Sequence, residues 1–244
     1  MNIILHEFSI SHFSEKVRWA LDYKRIPYNK DVLFPGLHYL NTLMLNGSWT
    51  VPILEIDGES RGESTEILQW LDELFPSIPL FPSVPQDRET ALKTIHWLDI
   101  EIGVQARIVA YHKVLPETDF AKEILATGFD GWPKTALQII APVLLPLLNL
   151  RYKVNETHLE AQERTDMALE SIAQLIEKNN GYIHASGFGA CDITAASLLY
   201  PLFLPAEYPY PLPTNVPPAI RQFLDNYAKH PAIVWARKMY KNYR

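Results

Sequence analysis

"TVPILEIDGESRGESTEILQWLDELFP" (residues 50–76) contains the clearest secondary-structure signals of the chain. Its first half sets an Asp57-Gly58 turn between two short runs, which predicts a β-hairpin. Its second half repeats apolar residues at helical spacing and stops at Pro76, which predicts an amphipathic helix. The apolar face of that helix consists of Ile67, Leu68, Leu71 and Leu74.

Three further elements precede this stretch. "NIIL" (residues 2–5) predicts a short buried strand, "SEKVRWALDYKR" (residues 14–25) a helix, and "IPYNKDVL" (residues 26–33) a second strand. A strand-helix-strand unit implies a parallel pair, and the hairpin adds an antiparallel one. We therefore expect an α/β domain, a mixed four-stranded sheet with helices, within residues 1–78.

A proline-rich stretch, "FPSIPLFPSVPQ" (residues 75–86), follows the first domain. Such proline density cannot continue a helix or a central strand, so we expect a stiff linker at residues 79–86. Beyond it the patterns are helical, and residues 87–244 are predicted to form an all-α domain with a proline-rich loop at 207–218. The predicted helices cover residues 87–114, 118–126, 134–152, 158–178, 191–199, 218–230 and 233–240.

The amino-acid composition limits the partners and the cellular location that we expect for the chain. A net charge of -6 with no block rich in lysine or arginine argues against nucleic acid as a partner. The single cysteine, Cys191, excludes an intrachain disulfide and is expected to be a small buried thiol. The start of the chain lacks the basic region of a signal peptide. The longest apolar run, residues 139–150, is shorter than the ~20 residues of a spanning helix and contains two prolines. No membrane partner and a cytoplasmic location are therefore expected.

Two stretches carry a family resemblance. "TVPILEIDG" with "GESTEILQWLDELFP", and "SHFSEKVRWALDYKRIPY" near the start, resemble the glutathione S-transferase family. "GACDITAASLLYP" resembles the helix-capping motif of that family, with Gly189 where Ser or Thr is usual and Asp192 as the capping acid. The resemblance implies a thioredoxin-like first domain, glutathione as co-substrate, an electrophilic small molecule as second substrate and a homodimer.

The resemblance assigns glutathione binding to four residues around the hairpin. The family carries a cis-proline at Pro52, which leaves the backbone of Val51 to pair with an extended peptide. Ser64 and the free N–H groups of its helix would hold the γ-glutamyl carboxylate, and Glu63 would help hold the amino group. From the residues alone, Pro52 can also be a trans proline that starts an edge strand, and Ser64 can be a simple N-cap.

Ser11 matches the family position that activates the glutathione thiol. Lowering a thiol pKa of ~8.5 by about two units needs ~2.7 kcal/mol of thiolate stabilisation. A helix N-terminus supplies ~0.3–1 kcal/mol and a hydrogen bond to a charged group ~1.5–3 kcal/mol, so the two together can reach the required stabilisation. Ser11 would be a hydrogen-bond donor, since no paired base would make it a nucleophile. Ser9 and Ser14 are rival donors, and Ser11 can also be only a turn or N-cap residue.

Two histidines are further candidates. His12 is a second donor to the sulfur, a residue of the co-substrate pocket or, as its local pattern favours, a solvent-facing turn residue. His38 is a candidate to hold the glycine carboxylate of glutathione, with Asn46 and Trp49 as alternatives in the same irregular region. No metal site is expected, because His12 has no partner at a recognisable ligand spacing.

The first long helix after the linker carries other candidates. Trp97 and Tyr111, with Trp132 nearby, either line a pocket for an apolar co-substrate or pack in the core. Asp99 and Glu101 either reach the glutathione amine of a partner subunit, as in related dimers, or are solvated.

Taken together, these features predict a glutathione transferase in which a thiolate attacks an electrophilic carbon or a peroxide. Serine in place of cysteine at position 11 argues against thiol-disulfide exchange, because no mixed disulfide can form there. Two alternatives stay open. One is a non-catalytic glutathione-binding scaffold of the same fold. The other is a glutathione-dependent isomerase or dehalogenase, which would be distinguished by whether glutathione is consumed or regenerated.

Overall fold

The computed structural model describes residues 1–46 and 49–244. Its strands are β1 (Ile3–Glu7), β2 (Asn29–Val32), β3 (Ile53–Ile56) and β4 (Glu59–Arg61). They form one sheet in the order β2-β1-β3-β4, with β1 parallel to β2 and antiparallel to β3. β3 and β4 are the hairpin around Asp57-Gly58. The expected mixed four-stranded sheet is confirmed.

Three helices accompany the sheet: α1 (His12–Tyr23), α2 (His38–Asn46) and α3 (Ser64–Leu74). The sequence predicts α1 and α3 but gives an irregular region in place of α2. The expectation of an irregular region is wrong, because the apolar residues of this region recur at helical spacing, although they face outward. The exposed set is Leu37, Leu40, Leu43 and Met44.

The second half is helical, as predicted. α4 (Pro85–Leu98), a π-helical segment (Asp99–Val104) and α5 (Gln105–Val114) follow one another directly. The remaining helices are α6 (Thr118–Leu125), α7 (Gly131–Tyr152), α8 (Val154–Lys178), α9 (Ala190–Leu199), α10 (Pro218–Tyr227) and α11 (Pro231–Tyr243), with a short 3-10 turn at Tyr200–Leu202. α7 begins three residues before its predicted start and keeps both internal prolines, Pro142 and Pro146.

The two halves share one hydrophobic core, in which α1 packs against α9. The fully buried Trp19 of α1 lies 4.5 Å from the ring of Tyr240, and its indole N–H donates to Tyr243 O at 3.0 Å. A second, smaller cluster joins α6 to α7. The predicted boundaries at 78 and 86 stay a prediction. The linker itself is packed, since Leu80 and Phe81 are buried.

α7 is a helix that is long and apolar enough to cross a membrane by length and composition. Only Leu137, Ala141 and Leu145 of its residues are buried.

Candidate functional site

Ser11 lies at the N-terminus of α1, where it is the N-cap residue. Its backbone is extended, and its Oγ accepts a hydrogen bond from the Ser14 backbone N–H at 3.2 Å. A serine hydroxyl that accepts one bond still has its own hydrogen to donate. Ser11 can therefore cap the helix and donate to a ligand at the same time.

The loop that carries Ser11 is held through its backbone carbonyls. Arg18 Nη2 donates to Ser9 O at 3.2 Å and to Ser11 O at 3.4 Å. Tyr208 donates its hydroxyl to Ser9 O at 2.5 Å, and Tyr200 donates to Ile10 O. Sequence analysis missed these three side chains, because two of them lie about 190 residues away along the chain. The one available signal is that Arg18 sits among the apolar residues of "VRWAL".

Arg18 is fully buried and belongs to a cluster of charges beneath that loop. Its Nη1 donates to Glu7, and its Nε donates to Glu15 at 2.7 Å. Arg244, the last residue of the chain, donates to Glu15 from the other side at 2.6 Å. Burial opposes the charge of Arg18, but Tyr208, Glu7 and Glu15 outweigh it and hold its pKa well above the usual value. The guanidinium therefore stays charged under the Ser11 loop.

A second feature is the N-terminus of α3. Glu63, its N-cap residue, has φ 44° and ψ 109°, a conformation that non-glycine residues rarely adopt and that often marks functional sites. Ser64, the next residue, is 2% exposed, and its Oγ has no hydrogen-bond partner among the described residues. Buried hydroxyls are almost always bonded, so an unpaired one at a helix N-terminus needs an explanation.

A buried lysine brings the first turns of α1 and α3 together. Lys16 of α1 donates to Thr65 of α3 at 2.8 Å and to both carboxylate oxygens of Asp99, at 2.9 and 3.1 Å. Thr65 in turn donates to Asp99 at 2.9 Å. The two helix N-termini that carry Ser11 and Ser64 therefore adjoin, and the π-helical segment of the second half is tied to both.

The Val51-Pro52 peptide bond is cis, as expected. The register of β3 against β1 ends at the pair His6–Ile53, so Val51 lies beyond the paired part of the strand. His38 begins α2 and is buried against Phe8, with ring centroids 4.7 Å apart. Its Nδ1 accepts from Gly36 N–H at 3.2 Å, and burial lowers its pKa. Neutral His38 therefore carries its hydrogen on Nε2.

His12 is not the solvent-facing turn residue that its local pattern favours. It is 4% exposed, and its Nε2 lies 2.7 Å from Gly103 O. Burial, reinforced by the charge of Arg107, lowers its pKa to about 3. Neutral His12 must carry its hydrogen on the nitrogen that faces the carbonyl, so Nδ1 is an acceptor. His12 therefore has no second hydrogen to donate to a sulfur.

The other two serines differ from Ser11. Ser9 is buried, and its hydroxyl donates a hydrogen bond to Thr127 O. Ser14 is fully buried, and its Oγ has no partner in the part of the chain that the structure describes. The Ser9 hydroxyl therefore has no hydrogen left for a ligand, while Ser14 stays an alternative to Ser11 as the donor to the sulfur.

The three aromatic residues that are candidates for a co-substrate pocket, Trp97, Tyr111 and Trp132, do not lie in one place. Tyr111 is half-buried at 5.6 Å from the ring of Tyr152, and it lines a cavity of about 440 Å³ between α5, α7 and α8. Trp97 packs instead against the main core, and Trp132 is exposed on α7. The residues that line the cavity do not include Ser11.

The remaining candidates are engaged in contacts of their own or only partly described. Asp99 binds Lys16, and Glu101 binds Arg164 at 2.7 Å, so both acids are paired within the chain. Trp49 is exposed, and the side chain of Asn46 lies outside the described residues. Cys191 is buried, as expected, and burial raises its thiol pKa. No group of three metal-ligating side chains occurs among residues 1–46 and 49–244.

Known proteins share this fold and these motifs. Residues 5–79 match the family model described as the glutathione S-transferase N-terminal domain. A maleylacetoacetate isomerase of Dictyostelium discoideum is 26% identical over 147 residues, which cover 54% of this chain and 65% of that protein. The beta-etherase LigF of Sphingobium sp. strain SYK-6 has a TM-score of 0.63 at 20% identity, covering 98% of this chain and 99% of that one.

A glutathione S-transferase of Methylobacterium radiotolerans, solved in complex with glutathione sulfonate, has a TM-score of 0.56 at 19% identity. The structural match covers 96% of this chain and 93% of that one. The matches to curated relatives span only about half to two thirds of the length of those proteins. The family-model match at residues 5–79 and the whole-chain likeness in fold agree with each other. Residues 5–79 are similar to the glutathione S-transferase N-terminal domain, and the chain as a whole shares the fold of solved glutathione S-transferases.

Proposed function

We propose that the chain is a cytoplasmic glutathione transferase that stabilises the glutathione thiolate for attack on an electrophilic small molecule. Ser11 donates to the sulfur, Glu63 and Ser64 hold the γ-glutamyl group, and Val51 pairs with the peptide backbone. His38 donates from Nε2 toward the glycine carboxylate. The other side chains of the site hold these residues in position and provide charge near them.

The observation that carries the proposal is the Ser64 hydroxyl, which has no hydrogen-bond partner within residues 1–46 and 49–244. It is buried at the first residue of α3, where free backbone N–H groups favour an anion. A carboxylate there would accept from the hydroxyl and from those N–H groups together. The strained backbone of Glu63 beside it supports a ligand-binding role rather than a purely structural one.

The environment of Ser11 supports a donor role. The hydroxyl lies at the N-terminus of α1, whose dipole favours a negative charge by ~0.3–1 kcal/mol. A hydrogen bond to a thiolate adds ~1.5–3 kcal/mol. The neighbouring His12 is neutral, bound to Gly103 O and unable to act as a base for Ser11. Ser11 is therefore a donor to the sulfur and not a nucleophile.

The test is calorimetric titration of the purified protein with glutathione, beside the variant Ser64→Ala. We expect the dissociation constant to rise about 10-fold to 100-fold, which corresponds to a hydrogen bond to a charged group. Ser197→Ala is the matched control, because Ser197 is also a buried, unpaired serine but lies within α9. Both variants should unfold at the wild-type denaturant concentration, since neither hydroxyl bonds within the described protein. No binding by the wild type would overturn the transferase proposal and, with it, the glutathione-binding scaffold.

A glutathione-dependent isomerase is the second candidate, because a curated relative is named maleylacetoacetate isomerase. The two reactions differ in stoichiometry. A transferase consumes one thiol for each product formed, while an isomerase returns it. Counting free thiols during turnover of an electrophile panel and of a cis-diketo acid separates them.

A homodimer is proposed on the family resemblance. Asp99 and Glu101 are paired within the chain, so neither is free to reach the glutathione of a partner subunit. Sedimentation equilibrium gives the oligomeric state directly.

A further inference from the structure

α7 presents an apolar face to solvent along its whole length. Its five large exposed side chains are between 52% and 78% exposed. They are Trp132, Ile139, Val143, Leu147 and Leu150. Their spacings of seven, four, four and three residues place them on one side of the helix. At a rise of 1.5 Å per residue, the stripe from Trp132 to Leu150 extends over about 27 Å of the helix.

The opposite side of α7 is packed against protein. Leu137, Ala141 and Leu145 are buried in the cluster shared with α6. Gly36, just before α2, also approaches the helix, since a Cβ placed there would lie 3.9 Å from Leu144 Cδ2. One face of α7 is thus fixed to the protein and the other is left open, so the helix can lie on a surface but cannot be surrounded by lipid.

The charges of α7 indicate what covers the open face. Residues 131–152 contain no carboxylate. Arg151 and Lys153 lie at its C-terminal end, while Lys134, two residues after Trp132, lies on the side of the helix opposite the stripe. The nearest acids, Asp130 and Glu156, stand outside the two ends. An apolar stripe on a helix without carboxylates, with a tryptophan near one end and cations at the other, is typical of a helix in the interfacial layer of an anionic bilayer.

A second copy of the chain fits this face less well. In a symmetric antiparallel contact through the stripe, each α7 would bring only Asp130, outside its own first turn, toward the cations of the other. In a parallel contact, each cation would meet its own equivalent. Neither arrangement supplies a carboxylate from within the helix, whereas anionic headgroups would neutralise Arg151 and Lys153 directly.

We propose that α7 docks on an anionic phospholipid surface, with its exposed apolar face in the interfacial layer. This departs from the expectation of no membrane partner. That expectation rested on a shorter apolar run and its two prolines, but the structure keeps both prolines inside a 22-residue helix. The proposal does not depend on the binding of glutathione.

The test is flotation of the full chain with vesicles of phosphatidylcholine alone and of phosphatidylcholine with phosphatidylglycerol. We expect binding to the anionic vesicles, weakened by salt. The double variant Ile139→Asp/Leu147→Asp should lower the partition coefficient about tenfold or more, because it places two carboxylates in the apolar stripe. Leu159→Asp/Met167→Asp on α8 is the matched control, with the same eight-residue spacing and similar exposure, and should bind like the wild type.

The oligomeric state of each protein is measured without lipid by light scattering, and its fold by circular dichroism. Absence of wild-type binding to both kinds of vesicle would overturn the proposal. So would equal loss of binding in the two double variants, or no loss in either. A wild-type dimer that dissociates only in the Ile139→Asp/Leu147→Asp variant would assign the face to a second copy instead.

Discussion

Arg18 Nη2 lies 2.8 Å from the hydroxyl oxygen of Tyr208, and that hydroxyl donates in turn to Ser9 O at 2.5 Å. The two residues are 190 positions apart. Tyr208 belongs to the proline-rich segment of residues 207–218, which thereby reaches the loop that carries Ser11. The position of Ser11 in the first half of the chain therefore depends on a segment near its end.

Tyr208→Phe tests this dependence. The change removes one acceptor for Arg18 and one donor to Ser9 O, so the Ser11 loop loses part of its support. We expect a loss in kcat of about tenfold with little change in KM for glutathione, because a small displacement of a reacting group is costly. Steady-state kinetics over a range of glutathione concentrations separates the two parameters.

Tyr210→Phe is the matched control for that experiment. Tyr210 donates to Glu7 at 2.5 Å and not to the loop. Each change removes a buried hydrogen bond to a charged group, so both should lower the free energy of unfolding by about 1.5–3 kcal/mol. Only Tyr208→Phe should lower kcat. Equal kinetic losses in the two variants would mean that general destabilisation, and not the loop, explains the effect.

Ser11→Ala should raise the pKa of bound glutathione by about one to two units, since it removes a hydrogen bond worth ~1.5–3 kcal/mol to the thiolate. The pKa is read from the ultraviolet absorbance of the thiolate in a pH titration of the complex. Ser11→Thr keeps the hydroxyl and should restore most of the shift. Ser14→Ala tests the rival, because the Ser14 hydroxyl is buried and unpaired. A shift in Ser14→Ala but not in Ser11→Ala would transfer the role to Ser14.

The parts of the site that follow from local pattern could be predicted from the sequence. The Asp57-Gly58 turn and the helix after it place Glu63 and Ser64 at a helix N-terminus without any knowledge of the rest of the chain. The position of Ser11 at the N-terminus of α1 can be predicted in the same way. In each case the signal is a turn or cap residue directly before an apolar repeat.

The parts of the site that depend on contacts between residues far apart in the chain could not be predicted from the sequence. His12 looks like a turn residue until the π-helical segment presents Gly103 O to it, 91 residues later. Lys16 looks like a solvated helix charge, yet it is buried between Thr65 and Asp99. A period of 3.6 residues describes one helix and carries no information on which partner that helix meets.

Gly189→Ser restores the residue type that is usual in the family's capping motif, yet we expect it to destabilise this protein. A Cβ at Gly189 would lie 2.6 Å from Leu80 O, which already accepts from Ala190 N–H at 2.8 Å. The backbone of the linker would have to move, at a cost of about 1–3 kcal/mol. Chemical denaturation of the variant measures this cost.

Gly189→Ala separates the steric effect from the capping effect. It introduces the same Cβ without a hydroxyl, so it should cost as much as Gly189→Ser or slightly more. A Gly189→Ser protein more stable than the wild type would show that capping by the hydroxyl outweighs the contact with Leu80. Asp192 should support the helix in all three proteins, since its carboxylate accepts from the backbone N–H groups of Gly189 and Ile183 at 3.1 and 2.9 Å.

The buried His12 predicts a loss of stability in acid. Burial, together with the charge of Arg107, lowers its pKa to about 3, whereas the unfolded chain titrates near 6.5. Between these two values the unfolded state binds a proton that the folded state does not. The free energy of unfolding therefore falls as the pH falls below 6.5, by up to about 1.4 kcal/mol per pH unit from this group.

His12→Gln checks that contribution, because its amide can still donate to Gly103 O but does not titrate. We expect the wild type to lose stability relative to the variant as the pH is lowered from 6.5, and the difference between them to be constant above 6.5. Urea unfolding at several pH values on both sides of 6.5 gives the two curves. Parallel curves below that pH would mean that folded His12 takes up a proton as readily as the unfolded chain, and the link between α1 and the π-helical segment would then be a contact of a charged histidine.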